Sequence, residues 1–302
     1  MRILPVICGV TIASTCVVAN AEPAHIDTIK SPQPEALTEF WTDQRLQAAR
    51  PMPVPVINID RAGTRGPAGP GTDKLRLGQA SELSATVAQG DDNRLAGPAR
   101  FWVGRIAFNT PDGSLRTCLA QLVAPAVLLT AAHCLRDSAT GQWFANFLYV
   151  FQYQRGSGRR YSTECLNVYR DWVSKEPSHW GWDFAFVKLR GATTLGHFGW
   201  ELGWQDRYQT ATQLNTAVTV QNGTLVKGWS ANVVGLKHSN PNEGSNGGGW
   251  IERYDPAGTS PQTNALISLT SHYVGDDPGT SYGPYWNDTF TQLLDSAKGG
   301  CR

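Results

Sequence analysis

Three short segments carry groups suited to acid–base and nucleophilic chemistry. The first, Leu129–Cys134 (LTAAHC), is an apolar stretch that delivers His133 near its end. The second, Asp183–Leu189 (DFAFVKL), starts with a carboxylate and continues as a mostly apolar run. An imidazole exchanges protons near neutral pH, and a carboxylate that accepts from its Nδ1–H fixes the tautomer and stabilises the charged form. The third, Gly244–Gly249 (GSNGGG), is a glycine-rich turn whose backbone N–H groups could stabilise an oxyanion.

These segments resemble the active-site motifs of the trypsin/chymotrypsin-like serine peptidases, and the resemblance covers about Phe101 to the end of the chain. It implies that His133 is the general base of a catalytic triad, and that Asp183, 50 residues later, orients it. The glycine-rich turn corresponds to the family motif G-x-S-G-G, in which the serine is the nucleophile. Taken singly, a core histidine beside a disulfide and an aspartate that caps a strand are the structural alternatives.

The nucleophile motif is where this chain departs from that family. Aligning the glycines makes Gly244 the oxyanion-hole glycine and puts Asn246, not a serine, at the nucleophile position. The backbone N–H groups of these two residues would then form the oxyanion hole. The other register makes Ser245 the nucleophile, but it puts Glu243 at the oxyanion glycine. The first register keeps every glycine of the motif in use, so we prefer it.

An asparagine at this position leaves three hypotheses open. Asn246 has no hydroxyl that His133 could deprotonate, and an amide nitrogen is a very weak nucleophile. The protein is then a pseudopeptidase that binds peptides or proteins, or an endopeptidase that uses Ser245 after a shift of the loop. In the third hypothesis, the asparagine is a substitution in an otherwise active sequence.

The resemblance is greater to the bacterial glutamyl-endopeptidase-like branch than to the digestive enzymes. Many family members have an aspartate before the nucleophile that pairs with a new N-terminus, and Ser245 cannot form that ion pair. The strand that follows the nucleophile loop lines the substrate pocket in the family. The resemblance therefore assigns Thr270, Ser271 and His272 to the pocket, and a histidine near this strand is typical of glutamate-specific members.

The N-terminus and the cysteines both predict export. Arg2, the apolar stretch of residues 3–18 and the A-x-A sequence at 19–21 predict a signal peptide over residues 1–21. Two of the six cysteines lie in it, and an even number in an exported chain predicts two disulfides. Four cysteines allow three connectivities. The resemblance pairs Cys118 with Cys134, which leaves Cys165 to pair with Cys301.

The pattern of apolar runs predicts an all-β protein. From residue 101 onwards, short apolar runs recur between turn residues. With the resemblance, this predicts a peptidase domain over 101–302: two six-stranded antiparallel barrels, at about 101–195 and 196–286, and a C-terminal helix at about 287–298. We expect Asp288 to cap that helix. Residues 22–100 are predicted to be a propeptide or a flexible N-terminal extension.

Composition narrows the range of partners. The net charge of +1 provides no field for nucleic acid. No spacing of histidines or cysteines indicates a metal site, so we expect no metal and no cofactor. We expect a monomer, secreted or periplasmic, that leaves the membrane after signal cleavage and meets a peptide or protein. Two functions remain: a secreted serine endopeptidase, or a non-catalytic peptide or protein binder on the same scaffold.

Overall fold

Antiparallel β-strands dominate the secondary structure of the described residues. The computed structural model describes residues 25–59, 76–77, 102–154, 157–174, 177–202, 208–216, 219–237, 245–255 and 264–302. The predicted signal peptide, Glu243 and Gly244 lie outside these ranges. Three α-helices are described: α1 (Pro34–Phe40), α2 (Asp43–Ala48) and α3 (Asp288–Lys298). None of the helices in these ranges is long and apolar enough to span a bilayer.

The strands fall into three groups along the chain. The N-terminal region contributes β1 (Ile26–Lys30), β2 (Arg50–Pro51), β3 (Val56–Asn58) and β4 (Arg76–Leu77). The next group is β5 (Val103–Asn109), β6 (Leu115–Ala124), β7 (Val127–Thr130), β8 (Ala145–Gln154), β9 (Ser157–Tyr169) and β10 (Ala185–Leu189). The last is β11 (Gly199–Trp200), β12 (Thr210–Thr216), β13 (Thr219–Lys227), β14 (Val233–Lys237), β15 (Gly249–Glu252), β16 (Ala265–Leu269), β17 (His272–Val274) and β18 (Asp277–Pro284).

The second group closes into a six-stranded antiparallel barrel. Around the barrel the order is β5, β6, β7, β10, β9, β8, and β8 pairs again with β5. Every residue of β7 is buried: the apolar residues 127–129, and Thr130, whose hydroxyl donates to the Leu119 carbonyl at 2.7 Å. The strand that leads to His133 is therefore held rigidly in the core.

Strands β12 to β18 of the last group form the second barrel, and β11 pairs in parallel with β16. Strands β15, β12, β13, β14 and β18 lie side by side in that order. The consecutive strands β16 and β17 join the two ends, because β16 pairs with β15 and β17 pairs with β18. Between them, the Ser271 N–H donates to the carbonyl of Tyr282 at 2.9 Å. The prediction of two antiparallel barrels followed by a helix is confirmed.

The C-terminal helix α3 packs on the first barrel. Its apolar side is buried against β9 and β10, and the disulfide between Cys165 and Cys301 joins β9 to the end of the chain. The Asn287 side chain accepts from the N–H of Thr289 at 2.9 Å, so Asn287 is the N-cap. The expectation that Asp288 caps the helix was wrong by one residue. Asp288 instead lies in the first turn, where its charge favours the helix dipole.

Residues 25–59 contact both barrels. β1 pairs along its whole length with β9 of the first barrel, and β3 pairs with β17 of the second. Between them, Trp41, which follows α1, and Leu46 of α2 are fully buried in one cluster with Leu148 and Val150 of β8. Burial of apolar side chains of this size favours the docking of this segment.

Candidate active site

His133 lies in a short 3₁₀ turn, Ala132–Cys134, that follows β7. The disulfide between Cys118 and Cys134 fastens this turn to β6, so the predicted pairing is confirmed. The ring and the backbone of His133 are both held by one carboxylate: Asp183 Oδ1 accepts from the His133 backbone N–H at 2.8 Å, and Oδ2 accepts from Nδ1 at 2.7 Å. This fixes the orientation of the imidazole and leaves Nε2 facing the glycine-rich loop.

Asp183 is fully buried just before β10. Burial by itself raises the pKa of its carboxyl, but the charge and hydrogen bonds of His133, together with a hydrogen bond from Ser271, hold that pKa below its ordinary value. The Ser271 hydroxyl donates to Oδ2, the same oxygen that His133 Nδ1 reaches. The carboxylate therefore stays ionised in the interior because three donors satisfy it.

The side chain that faces His133 across the loop is that of Asn246. Its Oδ1 lies 3.0 Å from His133 Nε2, and its Nδ2 donates to the backbone carbonyl of Met52, a residue of the N-terminal region. Since the amide nitrogen is engaged by Met52, the oxygen faces the imidazole, and this contact is a hydrogen bond when Nε2 carries a proton. Ser245 and Asn246 are both 0% exposed.

The glycines of the loop allow it to lie between the two barrels. Gly247 has φ +75°, and a Cβ built on it would lie 2.5 Å from Thr130 Oγ1 and 2.6 Å from the Leu119 carbonyl oxygen. On the other side, a Cβ on Gly248 would lie 2.2 Å from the Leu214 carbonyl oxygen. Only glycine fits such close approaches on both sides. These contacts explain the two glycines that directly follow Asn246.

Gln121 of β6 fixes the loop from the first barrel. It is fully buried, its Nε2 donates to the Gly247 carbonyl at 3.0 Å, and its Oε1 accepts from the Gly249 N–H at 3.2 Å. The backbone of Asn246 is tied to the same strand, because its carbonyl accepts from the Leu119 N–H at 2.8 Å. Sequence reasoning missed Gln121, since a single glutamine inside an apolar strand carries no motif.

The residues that the resemblance assigns to the pocket lie beside Asp183 and the glycine-rich loop. Thr270 Oγ1 accepts from Trp250 Nε1 at 3.0 Å. The ring of His272 is fully buried, with Nδ1 2.9 Å from Ser271 Oγ and Nε2 accepting from Trp229 Nε1 at 2.9 Å. Burial lowers the pKa of His272 to about 3. The structure therefore brings Ser271 and His272 into one hydrogen-bonded chain with Asp183.

Metal-type donors come together at one place among the described residues. They are Cys118, His133 and Cys134, and the two sulfurs are joined to each other in the disulfide. A disulfide sulfur is not a thiolate, which is the form that binds metals. This cluster therefore offers only the imidazole.

The two barrels and the meeting of His133 and Asp183 at the loop define a chymotrypsin-like serine peptidase fold. No protein-family model and no curated protein matches the chain. Among solved structures, the thermostable serine protease AL20 from an extremophilic microorganism matches at TM-score 0.55 and 24% identity, over 67% of this chain and 99% of its own. A Glu endopeptidase matches at 0.53 and 17%, over 70% and 98%. An inactivated protease paralogue of the scabies mite matches at 0.51 and 10%, over 69% and 100%.

Proposed function

We propose that the protein is an exported, non-catalytic binder of peptides or proteins built on the serine peptidase fold. The observation that carries this proposal is the amide of Asn246 beside the imidazole of His133, with 3.0 Å between Oδ1 and Nε2. Acyl-enzyme chemistry needs a hydroxyl or thiol there, whose proton the imidazole takes as the nucleophile attacks. A carboxamide supplies neither group. The chain keeps the cleft and the hydrogen bonds that hold His133 and the glycine-rich loop in place.

The rate acceleration that is lost with the nucleophile favours a binding function over hydrolysis. A serine peptidase site without its nucleophile retains roughly a thousand- to ten-thousand-fold acceleration over water. Enzymes in general exceed their uncatalysed reactions by about a million-fold or more. The mite paralogue, described as inactivated, supports the view that this fold is also used without catalysis.

The compartment and the partner class follow from the same proposal. Two disulfides and the predicted signal peptide support a secreted or periplasmic protein, because disulfides persist in oxidising compartments. The partner is an extended peptide or a protein segment. The protein acts as a monomer and needs no cofactor for this role.

A fluorophosphonate probe separates this function from an endopeptidase that uses Ser245. The probe is small and reacts irreversibly with an activated serine, so adducts accumulate whenever the cleft opens. We expect no adduct on the mature parent protein by mass spectrometry. An adduct on Ser245 of the parent, abolished in His133→Ala, contradicts the proposal and makes the protein a peptidase.

The variant Asn246→Ser tests the assignment of the nucleophile position. It places a hydroxyl in reach of His133, so we expect a slow adduct on residue 246. The matched control is Ser245→Ala combined with Asn246→Ser, which should be labelled at the same rate. A folded Asn246→Ser protein that stays unlabelled after partial opening of the cleft in mild urea contradicts the assignment of residue 246 as the nucleophile position.

A further inference from the structure

Residues Arg50–Asn58, which we call the strap, cross from one barrel to the other. At one end, the strap pairs with β6, and the Met52 N–H donates to the Thr117 carbonyl at 2.8 Å. At the other end, the Tyr273 N–H donates to the Pro55 carbonyl at 2.8 Å, and the Gly275 N–H donates to the Ile57 carbonyl at 2.9 Å. The strap therefore spans the cleft with backbone hydrogen bonds on both sides.

The strap passes directly in front of Asn246, the residue at the nucleophile position. The Met52 carbonyl oxygen accepts from Asn246 Nδ2, whose side chain is the one that faces His133. In acyl transfer the nucleophile must approach the carbonyl carbon, with the oxygen held by the oxyanion donors. Here it is the oxygen of Met52 that faces the side chain at the nucleophile position. The strap therefore fills the cleft without presenting a carbonyl carbon to the side chain at the nucleophile position.

The far half of the strap occupies a strand edge. The backbone N–H groups of Tyr273 and Gly275 are satisfied by strap carbonyls, and β3 runs parallel to β17. An edge with such donors is a template for another extended chain. Ile57 is 0% exposed and packs in the hydrophobic core, and Val54, just before the residue whose carbonyl accepts from the Tyr273 N–H, is 7% exposed. The edge therefore fits an extended peptide with apolar side chains at two positions three residues apart.

The composition of the strap favours its docked form. Its sequence alternates prolines at 51, 53 and 55, which fix φ and restrict the free segment to extended conformations. A pre-organised segment loses less entropy when it binds. Because the strap is also tethered, its effective concentration at the cleft is roughly millimolar. A free peptide has to compete with that occupant.

We infer that the strap is an intramolecular inhibitor of peptide binding, and that an extended, apolar peptide binds along β17 only after the strap has left. This inference rests on the proposed peptide-binding function. It gives the N-terminal region a role that does not depend on its removal during maturation, since displacement alone opens the edge.

The direct test uses the strap sequence itself as the ligand. A fluorescein-labelled peptide RPMPVPVIN is titrated against the parent and against a variant in which residues 52–57 are replaced by glycine and serine. We expect the variant to bind at least about tenfold more tightly, because the tethered competitor is gone. Equal affinities overturn the inference, and so does absence of binding to a variant whose circular dichroism and melting remain cooperative.

A pair of point variants keeps the chain length unchanged. Ile57→Asp puts a carboxylate at a fully buried position of the strap, whereas Asn58→Asp adds the same charge at an exposed one. We expect only Ile57→Asp to speed hydrogen exchange at the Tyr273 and Gly275 amides and to raise peptide affinity. Unchanged exchange at these amides in Ile57→Asp contradicts the inference.

The two proposals fail in different ways. A fluorophosphonate adduct on Ser245 removes the non-catalytic function but leaves the strap as an occupant of the cleft. Failure of the peptide to discriminate between parent and strap variant removes the inhibitor, and leaves the assignment of Asn246 untouched.

Discussion

At the scale of single residues, the hydrogen-bond donors and acceptors behind the triad position fix each other. The Trp229 indole can only donate, so His272 Nε2 accepts. The single proton of the Ser271 hydroxyl goes to Asp183, so His272 Nδ1 must donate to Ser271 Oγ. His272 is thereby held as one neutral tautomer. Its buried position, which lowers its pKa to about 3, agrees with this.

The neutral His272 predicts a stability that falls in mild acid. Its folded pKa of about 3 lies below the ordinary value of 6.5, so between these values the unfolded chain binds the extra proton. The contribution of His272 to the free energy of unfolding is therefore fully present above about pH 6.5 and is lost as the pH falls towards 3. From pH 6.5 to pH 4 the loss from this group is about 3 kcal/mol. Urea unfolding at the two pH values measures it.

The variant His272→Gln isolates this contribution. It keeps a polar side chain at the site but removes the titrating group, so the difference in unfolding free energy between pH 6.5 and pH 4 should shrink by about 3 kcal/mol. The control His197→Gln changes a half-exposed histidine and retains His272, so it keeps that contribution. An undiminished pH dependence in His272→Gln shows that the folded protein protonates this ring.

At the scale of elements, apolar runs predicted most of the strands but missed the polar ones. The sequences of β12 (TATQLNT) and β18 (DPGTSYGP) have no apolar alternation, and each is held by strands on both sides. The segment Leu225–Leu236, for example, contains the end of β13, a turn and most of β14. A run of apolar residues does not reveal a hairpin turn whose flanking strands are both apolar.

The backbone conformation and the close contacts of Gly247 require a glycine at this position of the loop. Alanine there adopts φ +75° and puts a Cβ within 2.6 Å of the Leu119 carbonyl oxygen. The matched control is Gly113, with φ +83° and nothing within 4 Å of the added Cβ. Both substitutions carry the cost of a left-handed alanine, about 1 kcal/mol. We expect Gly247→Ala to cost at least about 2 kcal/mol more in urea unfolding, as overpacking adds to it. Equal losses contradict this account of the loop.

At the scale of the whole molecule, the sequence predicted the parts of the site that carry motifs and missed the parts that depend on long-range packing. His133, Asp183 and Asn246 could be aligned from local patterns. The carbonyl of Met52 could not, because a backbone group carries no residue signal and lies 194 residues from Asn246. The segment that supplies it lies within residues 22–100, which the sequence predicts to be a propeptide or a flexible extension. Only the packing of residues 25–59 on both barrels reveals where it runs.

The strap is anchored by the helices that precede it, so weakening that anchor should open the cleft. The Trp41 ring is fully buried among residues of α2, β5 and β8, and its Nε1 donates to the Asn146 carbonyl. Trp41→Ala should lower the free energy of unfolding of the docked N-terminal segment by about 3–5 kcal/mol. Because the strap starts two residues after α2, loss of this docking should also lower the strap's effective concentration at the cleft. The peptide RPMPVPVIN should then bind Trp41→Ala more tightly than the parent. Glu39→Ala, at an exposed position near the end of α1, is the control and should change the affinity little. If Trp41→Ala lowers the melting temperature without changing peptide affinity, the helices stabilise the fold but do not hold the strap in place.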